Sequence, residues 1–177
     1  KGKKDEKAYC DDIITLDLET TSYYIYKGKE MPFDFSKPPE WYVKNVKMQS
    51  VMYIWMVGIN YVKKIDKKPT IINEVLYGRT YEELNEFLSR LTGHIGARTI
   101  IYVHNLSFDF NFLQNALGTN CEIFARKERK PMKVLYEGYN LEFKCSLFLT
   151  NKSLKDAAKE VNAPIEKLDD KFDYNVI

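Results

Sequence analysis

The sequence predicts an α/β or α+β domain with a mixed sheet covered by helices, and three observations carry that prediction. Strand-like segments come first and are followed by helix, strand and helix, an order that layers helices on a sheet. Two helical segments open on capping residues, Thr80 with Glu83 and Ser153 with Asp156. Between them, "RTIIYVHN" (98–105) is short and mostly apolar, as a buried strand is.

The elements follow in order. Residues 1–11 read as a polar tail. "IITLDLE" (13–19) is rich in β-formers and sets Ile14, Leu16 and Leu18 on one face. Residues 23–42 carry three prolines and mixed charge, which predicts an irregular excursion. "MQSVMYIWMVGINYV" (48–62) is a strong strand. "IDKK" with Pro69 makes a turn, and "TIINEVLY" (70–77) returns antiparallel. The helix capped by Thr80 buries Leu84, Phe87, Leu88 and Leu91 and is expected to end near Gly93. After the strand at 98–105, "SFDFNFLQNAL" (107–117) is a helix with Phe110, Leu113 and Leu117 on one face, stopped by Gly118. Residues 121–146 read as strand, basic turn, strand, tight turn at Glu137–Gly138, and strand. A helix over 153–164 ends at Asn162 and Pro164. "IEKLDDKFDYNVI" has no clear period, and no repeat or linker divides residues 1–177.

A chain of 177 residues suits one domain with a sizeable core. Its formal charge of +2 removes any argument from a global polycation, so an electrostatic footprint must be local. The 13 tyrosines and 10 phenylalanines serve cores, and exposed ones stack on bases. Cys10, Cys121 and Cys145 are widely spaced and form no metal-type pair, which predicts free thiols in a reducing compartment. The charged first residues lack the apolar core of a signal peptide, and no run reaches transmembrane length. An intracellular domain without a membrane partner is the expectation.

Within "ITLDLETTSYYIY" (14–26), Asp17 and Glu19 project to the same side of a strand, about 7 Å apart. Two such carboxylates repel, and each is costly to desolvate. A hard divalent cation compensates for both, and a strand end reaching solvent makes both harmless. A third acid, Asp109, sits in "YVHNLSFDFNFL" (102–113), in the first turn of a helix that follows a buried strand. A first-turn acid also suits the helix dipole. His104, Asn105 and Phe108 surround it with hydrogen-bonding and stacking groups, at a strand end where α/β folds place their sites.

"DLETT" followed by "HNLSFD" resembles the first and second exonuclease motifs of family B DNA polymerases, more narrowly the protein-primed polymerases of phages and linear plasmids. The likeness continues at "CSLFLTNKSLKDAAKEV" (145–161), similar to the Ser-Leu turn and following helix of that family, and at "KLDDKFDY" (167–174), similar to its lysine- and tyrosine-containing segment. Agreement is looser over 23–50. The resemblance implies the ribonuclease-H-like exonuclease fold, with a mixed central sheet flanked by helices.

By that resemblance, Asp17, Glu19 and Asp109 are ligands for two ions, Mg²⁺ or Mn²⁺. The pair would clamp a scissile phosphate, one ion activating water and the other stabilising the leaving 3′ oxygen. The implied activity is 3′→5′ proofreading on single-stranded DNA, releasing nucleoside monophosphates. Thr20, Asn105, Phe108, Ser146, Leu147 and Tyr174 match positions that hold the last nucleotides of the strand. Lys167 matches the lysine supporting the scissile phosphate, with Lys171 as its rival. Phe108 either stacks beside a base or packs in the core, and Asn105 either holds the strand or caps the helix. His104 is expected to hold a hydrogen bond rather than a metal. The family's third motif, Y-x-x-x-D, supplies a fourth carboxylate and is not found before Ile177, so the expectation is a fragment truncated ahead of it.

The basic turn "RKERKPMK" (126–133) is either a solvated hairpin or a phosphate contact. Tyr23, Tyr24 and Tyr26 either line a strand channel or pack. The implied partners are single-stranded DNA, the remainder of a polymerase chain and a terminal protein, in the cytoplasm of a host cell. The competing classes are a nucleic-acid or terminal-protein binding module without catalysis, and a stand-alone nuclease.

Overall fold

The computed structural model describes residues 8–32 and 34–163. The chain runs β1 (Ile13–Tyr26), β2 (Lys29–Met31), α1 (Pro39–Asn45), β3 (Lys47–Ile65), β4 (Lys68–Gly78), α2 (Tyr81–Ile95), β5 (Thr99–Val103), α3 (Leu106–Leu117), β6 (Glu122–Lys127), β7 (Lys130–Tyr136), β8 (Leu141–Cys145), α4 (Leu147–Thr150) and α5 (Leu154–Glu160). The strands form one mixed sheet in the order β4-β3-β1-β5-β8-β7-β6, with β2 paired to β1. Strand β5 is parallel to both β1 and β8, while the outer pairs are antiparallel. The predicted mixed sheet with flanking helices is therefore the observed architecture.

Alternation in β1 works as read: Ile14, Leu16 and Leu18 are buried. They join Trp55 and Val57 of β3, Ile101 and Val103 of β5, and Phe143 of β8 in one core, which Leu84 and Leu88 of α2 and Phe110, Leu113 and Leu117 of α3 cover. Trp55 stacks on Phe87 at 5.4 Å and donates its indole N–H to the Thr80 carbonyl at 3.1 Å. That ring lies against Gly78, its cross-strand partner, where a Cβ would come within 2.6 Å of Trp55 Cε2. The capping box at Thr80 is formed, with Glu83 N–H donating to Thr80 Oγ1 and Thr80 N–H donating to Glu83 Oε2, both at 3.1 Å.

Three expectations need correction. The helix α2 runs through Gly93 and stops at Gly96, the glycine with a left-handed φ of 67°. The stretch predicted to be irregular is largely ordered. Strand β1 continues to Tyr26 on aromatic and β-branched residues and turns at Lys27–Gly28, both at positive φ as a tight hairpin requires. It then returns as β2, and Pro39 opens α1 as its first residue. The described end of the tail is not free either, because Tyr9 bridges to Arg98 and Cys10 N–H donates to the Arg98 carbonyl at 3.0 Å. Cys10, Cys121 and Cys145 are unbridged. None of the described helices is long and apolar enough to cross a membrane.

Candidate active site

Pairing between β1 and β5 ends at Leu16 with Val103. Beyond that point β5 turns through His104 and Asn105 into α3, while β1 runs on. Asp17 and Glu19 therefore stand at the carboxyl end of parallel strands, where a neighbouring strand has turned away. A bulge falls at this place: Glu19 pairs with Ile54 and Thr20 with Met52, leaving Tyr53 of β3 outside the register. Bulges bend a strand and re-aim its side chains. Asp17 is exposed, and Glu19 and Thr20 are half-buried.

Asp109 comes in from α3 and is only 3% exposed. Its carboxyl is pushed up to about 7, first by burial and then by the charges of Asp17 and Glu19, against the opposing pull of the main-chain N–H groups of Asp109 and Leu18. Its Oδ1 is buried with no hydrogen-bond partner. The three acids thus share one electrostatic neighbourhood, and a buried lone pair in it is unsatisfied. An all-oxygen donor set suits Mg²⁺ or Mn²⁺. Among the described residues, no three acidic, histidine or cysteine side chains stand closed enough as placed to hold a metal.

Asn105 occupies the N-cap position of α3 with φ 63°, a conformation Asn tolerates. Its side chain makes no cap bond and instead accepts from Ser107 Oγ at 2.7 Å, so Asn105 caps the helix by position and backbone, and its amide is not engaged in capping. Phe108 is 45% exposed, its ring 5.4 Å from that of Phe112, so plain core packing does not hold for it. His104 Nδ1 lies 3.2 Å from Ser146 Oγ, and Ser146 N–H donates to the Val103 carbonyl at 2.9 Å. That link brings the end of β8 to the end of β5. Leu147 packs half-buried against the core.

Asp17, Glu19, Thr20, Asn105, Phe108, Asp109 and Ser146 therefore gather at one end of the sheet. Lys167, its rival Lys171, and Tyr174 lie outside the described residues. Tyr24 and Tyr26 pack on Tyr42 and Trp41, each at 5.2 Å, while Tyr23 is exposed. The sequence reading missed the bulge, whose only sign is the mismatch between two strands too far apart in sequence to be aligned by eye.

Residues 95–177 match the family described as DNA polymerase type B, organellar and viral. That stretch holds β5, α3 with Asp109, and the β6–β7–β8 segment. No curated protein matches the chain. Two solved structures share its fold: Phi29 DNA polymerase complexed with primer-template DNA and incoming nucleotide substrates (TM-score 0.54, 13% identity, 92% of this chain and 25% of that one), and Phi29 DNA polymerase complexed with single-stranded DNA (TM-score 0.55, 14% identity, 91% and 25%). The chain spans about a quarter of the length of those polymerases. The fold is that of the matched region of those polymerases, a mixed sheet flanked by helices. The likeness first carried by "DLETT" and "HNLSFD" is met by sequence over 95–177 and by fold over nine-tenths of the chain.

Proposed function

We propose that this chain is the metal-dependent 3′→5′ exonuclease domain of a protein-primed DNA polymerase, trimming single-stranded 3′ ends. The observation that supports it best is the buried, partnerless Oδ1 of Asp109, held in the field of Asp17 and Glu19 at a strand end. A cation would relieve both the charge that Asp17 and Glu19 impose on Asp109 and its unsatisfied buried oxygen. Asp17, Glu19 and Asp109 would hold Mg²⁺ or Mn²⁺, and the bound ion supplies charge stabilisation for phosphodiester hydrolysis. Phe108 presents a ring for a base, Asn105 and Ser146 present polar groups for the strand, and Thr20 flanks the acids. The remaining polymerase chain and a terminal protein are its partners in this reading, within a host cell.

The test has two readouts. Mn²⁺ titration by calorimetry is expected to give binding in the parent and its loss in Asp17→Ala/Glu19→Ala; equal affinity in both overturns the carboxylate assignment. With Mg²⁺ or Mn²⁺, the polymerase carrying this domain is expected to shorten an end-labelled single strand but not one blocked at its 3′ end. Asp109→Ala should slow that trimming by several orders of magnitude. A second reading, a binding module without hydrolysis, is favoured by the open placement of the three acids. It predicts single-strand binding that metal leaves unchanged and no trimming at all.

A further inference from the structure

A cleft of about 440 Å³ opens on the flank of α3 away from the acids, between that helix and the β6–β7 hairpin. Small-ligand sites fall in this size range, roughly 300–1,000 Å³. Ser107 and Asn111 form the helix wall, Ile123 and Ala125 give an apolar wall, and Arg129 and Lys130 stand at the hairpin end. The hairpin turn is two residues long, Glu128–Arg129, with Lys127 opposite Lys130. Arg129 has Glu128 at 3.9 Å, but both are more than 90% exposed, so that ion pair holds the guanidinium weakly. Ser107 reaches both ways: it lines the cleft, and its hydroxyl donates to Asn105, one of the groups assigned to the strand. Phe108 is its neighbour in the chain and is exposed.

The cleft therefore offers an apolar wall, hydroxyl and amide groups, and two cations, and it is contiguous with the start of α3. An occupant must carry a flat apolar surface and negative charge together, which a nucleotide unit does and a bare anion or an aliphatic chain does not. We infer that this cleft seats an upstream nucleotide of the same single strand whose 3′ end lies at the acids, its base against Ile123 and Ala125 and its phosphate at Arg129 and Lys130. The inference rests on the exonuclease reading and extends the strand path beyond the motif residues.

The experiment measures fluorescence anisotropy of 5′-labelled oligo(dT) of three and ten nucleotides, without divalent metal, on the parent, Arg129→Glu/Lys130→Glu and Phe108→Ala. The hairpin variant is expected to bind the ten-mer about tenfold more weakly, to bind the trimer within about twofold of the parent, and to lower the salt slope by about 1–2. Equal weakening of trimer, ten-mer and a ten-base-pair duplex would mean a diffuse positive field and overturns the site, as does an unchanged ten-mer. Photocrosslinking of ten-mers with 4-thiothymidine is the second measurement. Internal positions are expected to label residues 122–131 and the 3′ position residues 105–109. Internal label absent from the hairpin overturns the proposal even where trimer affinity is too low to measure. If Phe108→Ala is silent while the hairpin variant loses the ten-mer, the cleft stands and the motif assignment of the terminal nucleotide fails.

Discussion

At the scale of single residues, Asp109 makes the sharpest statement. Its ordinary value is 3.8 and the folded protein raises it to about 7, so between those values the folded chain holds a proton that the unfolded chain has released. The contribution of this group to stability is full below about pH 4 and is lost as pH rises through 7. At roughly 1.4 kcal/mol per unit, the loss is ~4 kcal/mol at most in metal-free protein. Asp109→Asn, which cannot ionise, is expected to exceed the metal-free parent in stability by ~2–4 kcal/mol at pH 8 and to lie within ~1 kcal/mol of it at pH 4.5. Urea denaturation in chelator at both pH values checks this, and a pH-independent difference would be the wrong result. The acids were legible in the sequence because strand alternation and a helix first turn fix where they point. Glu142 was not. It is buried between Leu141 and Phe143, with Lys144 at 3.2 Å, Lys133 at 3.9 Å and the Tyr9 hydroxyl at 3.3 Å, partners from three separate segments.

At the scale of elements, the β3–β4 hairpin meets α2 at a point set by one absent side chain. Gly78 ends β4, and a Cβ there would meet the Trp55 ring and lie 2.8 Å from Glu83 Oε2. Adding a methyl would push on a packed indole and on the carboxylate that closes the capping box. Gly78→Ala is expected to cost ~1–3 kcal/mol, read as a lower midpoint at unchanged slope in urea denaturation. Gly93→Ala meets open space within a helix and is expected to be neutral or stabilising by up to ~1 kcal/mol. The contrast explains the misread helix end: both glycines are plausible stops in sequence, and only the backbone at Gly96 turns left-handed. The N-caps at Thr80 and Ser153 and the antiparallel hairpin were readable because their signals span a few residues. The extension of β1 to Tyr26 was obscured by the prolines that follow it, which belong to the next turn and to α1.

At the scale of the molecule, a net charge of +2 means that the proposed binding of DNA must come from local groups rather than from the whole surface. Contact with about three phosphates predicts a salt slope near −2 for single strands, and tighter binding of single strands than of duplex. Titration at several salt concentrations checks both, and a slope several times steeper would point to a broad basic face. The layered fold was legible from element order alone. The strand order was not, because it depends on pairings such as Ile14 with Ile101 that no local pattern announces.

That pairing bears on how the protein is made. Strand β1, with two of the three acids, leaves the ribosome early and finds β3 and β4 soon after as a meander. Its other edge stays open over Ile14–Leu16 until β5 has been synthesised and pairs there, with α3 and Asp109 directly behind it, and β8 joins the far side of β5 later still. Such long-range parallel pairing is slow, and the waiting edge is where a nascent chain is most exposed to wrong partners. The third carboxylate arrives only with β5 and α3, so the three acids come to share a neighbourhood no earlier than the parallel pairing that joins the two halves of the sheet.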